Sequence, residues 1–246
     1  MKKIAIITDV HGNLEALEAI MNDIVKRDID DVICLGDIVD LGPNSKECID
    51  LFIKNNISSL LGNHELYLLR GTDITPFMSE KRKQHCNFVK NSLTEKEINY
   101  MKNCPLSIEY INQQDNKKYI FSHYLLHDEK APYPFERLDL KKDVSLWKNY
   151  YRSDTIYFVG HLHRSFAKSE IDGIVDDTNI NIIVVDSAGC SHDNNASYMI
   201  IEIASTLQIK RIKVPYDREK FVQKLINTDF PDKKHILEYF YGLHLN

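Results

Sequence analysis

The sequence predicts an α/β fold in which two packed β-sheets are flanked by helices. Mostly apolar runs at residues 4–7, 32–35 and 57–61 have the length and β-branched content of buried strands. They recur at intervals of roughly 25 to 30 residues, the length of a strand-helix-strand crossover, so their ends should lie side by side. Further strands with short connections follow between residues 181 and 214, which predicts a second, largely antiparallel sheet.

The composition fits one folded domain over residues 1–246. Hydrophobic residues make up 43% of the chain and charged residues 27%, and no Pro- or Gly-rich linker interrupts it. The net charge of -5 comes from interspersed acidic and basic residues, so no basic face is evident. This pattern argues against a dedicated nucleic-acid binder and leaves the oligomeric state open.

Two features indicate a reduced, cytoplasmic protein without a membrane segment. The start, Met1-Lys2-Lys3, is like that of a signal peptide, but its apolar run stops at Ile7 and Asp9 follows. No other run is long enough to span a membrane. The five cysteines are an odd number, widely spaced and without a C-x-x-C pair, as in proteins whose thiols stay reduced.

The first predicted strand ends in Asp9 and His11, just before a helix. Apolar residues then recur at helical spacing over residues 14–24, and Asn13 is a candidate N-cap. Because Asp9 and His11 are two positions apart, an extended backbone would point both side chains the same way. That arrangement would suit chelation of one cation.

The second and third strands also end in polar side chains. The run at residues 32–35 leads into Gly36-Asp37, and the next strand leads into Gly62-Asn63-His64-Glu65. Between them, the turn at residues 42–45 reads as the start of a helix that continues the crossover. Three strand ends therefore deliver carboxylate, imidazole and amide groups to one edge of the sheet, where open α/β sheets place their chemistry.

The block of residues 66–105 shows helical patterns without a strand signal, so it is predicted to be a helical cap beside the site. It carries the cations Arg70, Arg82 and Lys83, which are candidate substrate-binding residues. A negatively charged substrate could use such cations to bind the part of the molecule that lies away from the reacting centre.

The remaining elements repeat the pattern and then close the chain. The strand at residues 119–122 ends in His123, and the strand at residues 155–159 ends in Gly160-His161-Leu162-His163. Residues 217–246 are predicted to form the C-terminal helices. Three other histidines match no motif and are expected to be ordinary polar residues, with a place in the cleft as the alternative: His85, His127 and His192.

Taken in order, the blocks Asp9-x-His11, Gly36-Asp37, Gly62-Asn63-His64-Glu65, His123 and Gly160-His161-x-His163 resemble the calcineurin-like metallophosphoesterases. The resemblance implies a double β-sandwich flanked by helices, with a two-metal site at the strand ends. The stretch from Asp186 to Tyr198 looks like the glycine-rich loop and strand of the bacterial YfcE-like branch of phosphodiesterases and phosphatases. Here the Asn-Pro-Gly-Ser run usual in that branch is replaced by Asp186-Ser187-Ala188-Gly189.

The resemblance also implies a role for each matching residue. One metal ion would be held by Asp9, His11 and His163, the other by Asn63, His123 and His161, and Asp37 would bridge them. Such ligands suit divalent manganese, iron, nickel or zinc. His64 would be catalytic rather than a ligand, protonating the leaving oxygen, with Asp40 as its partner.

The function implied is hydrolysis of small phosphate esters, with a hydroxide shared by the two ions attacking phosphorus in line. Nucleotide or phosphodiester substrates are favoured. The alternative is a serine/threonine-type protein phosphatase or a diadenosine tetraphosphatase-like hydrolase, but the phosphate-binding arginine of their G-D-x-x-D-R-G motif is Leu41 here. A non-catalytic scaffold is the weaker alternative, because relatives of that kind have lost catalytic residues and this chain retains them.

Overall fold

The computed structural model describes residues 2–75, 78–136, 152, 154–163 and 182–244. The strands are β1 (Lys2–Ile7), β2 (Asp31–Cys34), β3 (Ser58–Ser59), β4 (Ser107–Asn112), β5 (Lys117–Ser122), β6 (Thr155–Val159), β7 (Ile182–Val184), β8 (Asn195–Ile203) and β9 (Leu207–Pro215). The helices are α1 (Leu14–Ile24), α2 (Ser45–Lys54), α3 (Asn63–Arg70), α4 (Glu80–Ser92), α5 (Glu95–Lys102), α6 (Arg218–Ile226) and α7 (Lys233–Tyr241), with a 3₁₀ turn at Thr72–Ile74.

The described strands form two sheets, with orders β3-β2-β1-β8-β9 and β4-β5-β6-β7. In the first sheet β1, β2 and β3 are parallel, while β8 is antiparallel to both β1 and β9. In the second sheet β5, β6 and β7 are parallel and β4 is antiparallel to β5. The predicted fold class, two sheets flanked by helices, is confirmed.

The predicted membership of the second sheet is wrong. The strands between residues 181 and 214 do not form a sheet of their own: β7 pairs with β6, whereas the β8–β9 hairpin extends the first sheet beside β1. Short connections do predict that β8 and β9 pair with each other. They do not decide which open sheet edge the hairpin joins. That choice depends on where β8 can be buried on both faces, and beside β1 it is buried along nearly all its length.

Side chains of β1 alternate between two cores, as the two-residue period of a strand requires. Ile4 and Ile6 pack between the sheets, in one cluster with Tyr119 and Phe158 of the second sheet. The residues between them, such as Ala5, pack against the helices on the other face. Each fully buried side chain of this size contributes roughly 1.5 to 3 kcal/mol relative to exposure, so the packed sheets form a rigid base for the loops at their edge.

Local signals set the helix ends. The Asn13 side chain accepts a hydrogen bond from the Ala16 amide at 3.1 Å, so the predicted N-cap of α1 is present. Within residues 66–105 the structure places the rest of α3, the 3₁₀ turn, α4 and α5. The chain then ends in α6 and α7. Within the described ranges, no helix is long and apolar enough to cross a membrane.

Candidate active site

The predicted metal ligands converge beyond the carboxyl ends of β1, β2, β5 and β6 and at the start of α3. Their side chains form two groups that could each hold a metal ion and that share the Asp37 carboxylate. The first group contains Asp9, His11, Asp37 and His163, and the second contains Asp37, His123 and His161.

In the first group, nitrogen and oxygen atoms point at a common centre. The Nε2 atoms of His11 and His163 are 2.9 Å apart. Asp9 Oδ1 lies 3.1 Å from His163 Nε2 and 3.7 Å from His11 Nε2. Asp37 Oδ2 lies 3.7 Å from His11 Nε2.

The second group has the same form and includes the amide oxygen of Asn63. Asn63 Oδ1 lies 3.0 Å from His123 Nε2 and 2.7 Å from His161 Nδ1. His123 Nε2 is also 3.3 Å from Asp37 Oδ2. Ligand atoms bound at about 2.1 Å at right angles around one ion are about 3 Å apart, so these separations match a coordination sphere.

Several of these side chains leave the backbone in a left-handed conformation. Asp9 and His11 have φ values of 52° and 51°, and Asp37, His161 and His163 have values of 54°, 68° and 53°. Such angles are uncommon outside glycine and cluster at functional sites. The predicted extended backbone at Asp9 and His11 is therefore wrong, although the two side chains do converge.

Glu65 shapes the loop that carries Asp37. Its Oε1 accepts hydrogen bonds from the amides of Ile38 and Val39 at 2.7 and 3.3 Å, and its Oε2 accepts from the amides of Asp37 and Gly62, both at 2.8 Å. These donors favour the carboxylate, while burial beside Asp37 opposes it and raises the pKa of Glu65 to about 7. The sequence analysis assigned Glu65 no role, although its place in the Gly62-Asn63-His64-Glu65 block was a signal.

Gly62 is required because the chain passes so close to Asp37. A Cβ atom at this position would lie 2.1 Å from Asp37 Oδ1, well inside any allowed contact. The amide of His64 donates to the same oxygen at 2.9 Å. The Asp37 carboxylate is thus held on its Oδ1 side by the backbone and presents Oδ2 to the centre.

The buried imidazoles differ in protonation. Burial lowers the pKa of His11 to about 4 and that of His161 to about 3, so both rings are neutral at physiological pH. Burial also acts to lower the pKa of His123, but the Asp37 carboxylate outweighs it and raises the pKa to about 9. The neighbouring histidines, against the effect of burial, hold the pKa values of Asp9 and Asp37 below their usual range.

The residues fit divalent metal ions. Asp9 Oδ1 and Asp37 Oδ2 are buried and accept no hydrogen bond from the described residues, which is costly for a carboxylate unless a cation binds it. The neutral His11 imidazole faces both of these oxygens with its Nε2 atom. Mixed carboxylate, imidazole and amide ligands suit manganese, iron, nickel or zinc.

Beside the metal ligands, His64 belongs to a buried polar network around Asp40. His64 Nδ1 is 2.7 Å from Asp40 Oδ2, as predicted for a catalytic histidine and its carboxylate partner. Arg82 Nη1 donates to Asp40 Oδ1 at 3.0 Å, and Arg82 Nη2 forms a very short contact with Asp40 Oδ2. His85 Nε2 lies 2.8 Å from Asp40 Oδ1.

Comparison with known proteins decides the family. A model of the calcineurin-like phosphoesterases matches residues 2–185, most of the chain. The chain belongs to the calcineurin-like phosphoesterase family. Metallophosphoesterases of this family use divalent metal ions, which agrees with the two ligand groups described above.

The similarity extends over nearly the whole chain. It is 32% identical over 241 residues to the uncharacterized protein MJ0912 of Methanocaldococcus jannaschii, covering 93% of this chain and 94% of that protein. Its fold is similar to a metallophosphoesterase from Sphaerobacter thermophilus, with a TM-score of 0.63 and 23% identity over 91% of this chain and 93% of that chain. It is also similar to the hypothetical protein PH1004 from Pyrococcus horikoshii, with a TM-score of 0.69, 17% identity and 100% coverage of both chains.

In this phosphoesterase, the three cations predicted to bind substrate lie in different places. Arg82 is next to the site but pairs with Asp40. Arg70 donates to the carbonyl oxygens of Ala131 and Pro132 at 2.9 and 3.1 Å. Lys83 lies 3.1 Å from Glu80, one turn back on its own helix. The structure does not place Arg70 or Lys83 among the side chains that line the cleft.

Two of the three unassigned histidines also lie at the site of the phosphoesterase. His85 is fully buried and contacts Asp40, so it belongs to the polar network behind His64 and is not among the described residues that line the cleft. His192 lines the cleft. His127 is exposed.

A cavity of about 640 Å³ opens onto the metal-ligand side chains of the phosphoesterase. One wall is the metal centre with His64. The other consists of residues 186–192 together with side chains of β8, β9 and α7. In that loop the Cys190 thiol lies close enough to His11 and His163 to form a third group of potential metal ligands. The sequence analysis did not select Cys190, because a lone cysteine carries no motif.

Proposed function

We propose that this protein is a dinuclear metal-dependent phosphoesterase that hydrolyses small phosphate esters. The observation that carries the proposal is the pair of ligand groups sharing the Asp37 carboxylate. When bound, two divalent ions would supply positive charge to phosphoryl oxygens and make a water molecule more acidic. We favour manganese, with iron, nickel and zinc as the alternatives that the same ligands would accept.

The Asp9, His11 and His163 side chains would hold one ion and the Asn63, His123 and His161 side chains the other. The fixed backbone contacts around Asp37 would keep its Oδ2 between them. Because backbone hydrogen bonds hold the loops that carry these side chains, the phosphoryl group would be positioned by a rigid set of ligands.

His64 is the proposed general acid. Asp40 accepts from Nδ1, which leaves Nε2 free to face the reacting group, and His64 lines the cavity beside Asp37. From this position Nε2 could donate a proton to the departing oxygen. Arg82 would act through Asp40 as a positioning residue instead of binding the substrate.

Nucleotides and phosphodiesters are the favoured substrates. The cavity beyond the metal centre is within the size range of pockets that bind small organic ligands, which supports an ester with a sizeable organic group. The interspersed surface charge gives no support to dedicated nucleic-acid binding. The free cysteines, five in number, support a reducing compartment such as the cytoplasm.

The test is metal reconstitution followed by a substrate panel. The purified protein would be loaded with manganese and assayed on nucleotides, dinucleotides, cyclic nucleotides, model diesters and phosphopeptides. We expect turnover of at least one small ester that is abolished by chelation and restored by manganese. A protein that binds two manganese ions and hydrolyses none of these compounds would be a scaffold and not an enzyme.

A further inference from the structure

The cavity is larger than the reaction at the metal centre requires. Its volume of about 640 Å³ falls in the middle of the range typical of sites for small organic ligands, and a phosphoryl group at the ions would occupy only one end. The rest of the lining includes Ser191, His192, Lys213 and Tyr239, which form the far end, and Phe240, which contacts both Tyr239 and the His163 ring of the metal centre. No catalytic or metal-binding role has been assigned to these residues.

Two adjacent aromatic rings of α7 form one side of this far end. Phe240 lies beside the metal centre, with its ring centroid 5.5 Å from that of His163. Tyr239 packs edge-on against Phe240, with ring centroids 5.0 Å apart, and remains 66% exposed. A large ring left in water beside a catalytic centre is a surface on which a flat ligand group can pack.

The far end carries little free positive charge. Among the described residues that line the cavity, Lys213 is the single lysine or arginine, and its ammonium group lies 3.0 Å from the Asp193 carboxylate. Asp186 adds a further carboxylate to the lining. From the described lining residues, a second phosphate or a polyphosphate chain would meet only a lysine already paired with Asp193, whereas an uncharged ring with polar edges would meet aromatic faces, hydroxyl groups and the His192 imidazole.

Both sides of the far end are fixed relative to the metal ligands. In the loop, the Gly189 amide donates to the Asp9 carbonyl at 3.0 Å and the Ser187 hydroxyl donates to the same carbonyl at 2.8 Å. A Cβ atom at Gly189 would lie 1.8 Å from the Val10 carbonyl oxygen, so the loop packs directly on the ligand-bearing segment. On α7, the fully buried Tyr241 anchors the helix next to the exposed rings. The site is therefore preorganised, which reduces the entropy lost on binding.

We infer that the far end of the cavity is a nucleoside subsite, in which Tyr239 and Phe240 pack against the base of a phosphate ester whose phosphorus lies at the metal centre. The inference rests on the proposed function and narrows it to esters that carry an aromatic heterocycle. It also disfavours diadenosine tetraphosphate and phosphopeptides, since the first needs cations for its polyphosphate and the second has no base.

The first experiment tests the subsite without the reaction. Adenosine, which has no phosphate and so cannot be hydrolysed as an ester, would be titrated by calorimetry into manganese-loaded protein, with ribose as the matched ligand that lacks a base. We expect adenosine to bind and ribose not to bind. The double variant Tyr239→Ala/Phe240→Ala should lose adenosine binding by about fivefold or more, the lower end of what base-aromatic stacking contributes. Ile111→Ala is the control, because Ile111 is also 66% exposed and does not line the cavity.

The second experiment uses the manganese-loaded protein with adenosine 5′-monophosphate and ribose 5-phosphate, and with the methyl diester of each. For whichever ester type is hydrolysed, the double variant should raise KM for the adenosine compound by about fivefold or more and change that of the ribose compound much less. Tyr239→Ala/Phe240→Leu keeps apolar volume at position 240 and serves if the double alanine variant unfolds.

The two hypotheses fail in different ways. If no ester is hydrolysed but adenosine binding depends on the two rings, the phosphoesterase function is wrong and the nucleoside subsite stands. If esters are hydrolysed but adenosine does not bind, or both compounds respond equally to the variant, the subsite is wrong and the function stands. A dinucleoside polyphosphate could instead bind more tightly than adenosine and lose that advantage in Lys213→Ala. This result would overturn the inference, because the far end would then bind a second phosphate and not a base.

Discussion

Replacing Arg82 with methionine should destabilise the protein strongly. The Arg82 guanidinium contacts both oxygens of Asp40, whose side chain is fully buried, while 16% of the Arg82 side chain is exposed. Removing one partner of a buried ion pair typically costs about 3 to 5 kcal/mol, because the other charge stays buried without compensation. Since Arg82 is partly exposed and His64 and His85 still contact Asp40, we expect about 3 kcal/mol. For a chain of this length that corresponds to a fall in Tm of roughly 6 to 12 °C.

The loss should depend on pH in a defined direction. Burial alone would raise the pKa of Asp40, but the Arg82 charge and the contact with His64 outweigh it and hold the pKa well below its usual range. This pair therefore stabilises the native protein above the unfolded-state pKa of about 4, and the contribution disappears as the pH falls through the lower native pKa. Without the Arg82 charge, less opposes the effect of burial on the pKa of Asp40, so the Asp40 carboxylate takes up a proton at a higher pH. The stability deficit of the variant should be largest at neutral pH and shrink in acid.

Urea unfolding followed by circular dichroism, at about pH 7.5 and about pH 5, measures both effects. Lys83→Met is the matched control, since Lys83 lies next in sequence and its partners among the described residues are the exposed carboxylates of Asp73 and Glu80, so little change is expected. The double variant Asp40→Asn/Arg82→Met should recover much of the lost stability, because position 40 then carries no buried charge that needs the guanidinium as a partner. A loss below about 1 kcal/mol, or a double variant less stable than Arg82→Met, would refute the ion-pair argument.

Three further predictions test the site itself. Asp37→Asn should weaken binding of both manganese ions and His163→Ala chiefly of one, as elemental analysis of reconstituted protein would show; a wild-type protein that never exceeds one equivalent contradicts the dinuclear centre. His64→Gln should lower the turnover of ribosyl or alkyl esters by about 10²- to 10⁴-fold while both metal ions are retained. The turnover of nitrophenyl esters should fall less, because a good leaving group needs no proton. Equal slowing of the two ester types, or loss of metal, would count against a general-acid role for His64. Glu65→Gln should lower the free energy of unfolding, measured by urea titration, by roughly 2 kcal/mol or more. Each Glu65 oxygen accepts two backbone N–H groups, whereas the amide nitrogen of glutamine can accept none. An unchanged midpoint would mean that these hydrogen bonds are dispensable.

The positions of the candidate ligands could be predicted from sequence because each one follows a strand signal. Asp9, Asp37 and His123 come directly after or within three residues of β1, β2 and β5, and parallel strands end at one edge of their sheet. Strand signals in the sequence could not, however, predict which sheet the β8–β9 hairpin joins. A hairpin signal is local, whereas the choice between the free edge beside β1 and another sheet depends on contacts between residues almost 200 positions apart, such as Ile4 with Ile201.

The network around Asp40 was predicted only in part, for a related reason. The pairing of Asp40 with His64 came from the family pattern, but Arg82 and His85 contact Asp40 across more than 40 positions of sequence. One signal was available: Arg82, His85 and Cys86 are spaced by three and four residues, so they lie on one face of α4. A helical face that carries arginine and histidine where apolar residues are usual is a sign of a buried polar partner.

Backbone hydrogen bonds of the fold set the geometry of the centre. Beyond the ends of β1 and β2, the parallel pairing continues into the ligand loops: the amides of Asp9, His11 and Gly12 donate to the carbonyl oxygens of Gly36, Asp37 and Ile38 at 3.0, 2.9 and 2.8 Å. These bonds join the two loops that carry the first ligands, and Glu65 fixes the second loop from the other side. Left-handed backbone at non-glycine residues costs roughly 1 to 3 kcal/mol per residue, and it persists where surrounding contacts determine it. The strained residues here lie in loops at the ends of packed strands, and in the first two loops these backbone hydrogen bonds hold them. The fold therefore maintains the strain. It follows that the ligand side chains are held in place largely by backbone hydrogen bonds, which the ligand positions alone do not encode, so the motif predicts which residues bind better than how they are held.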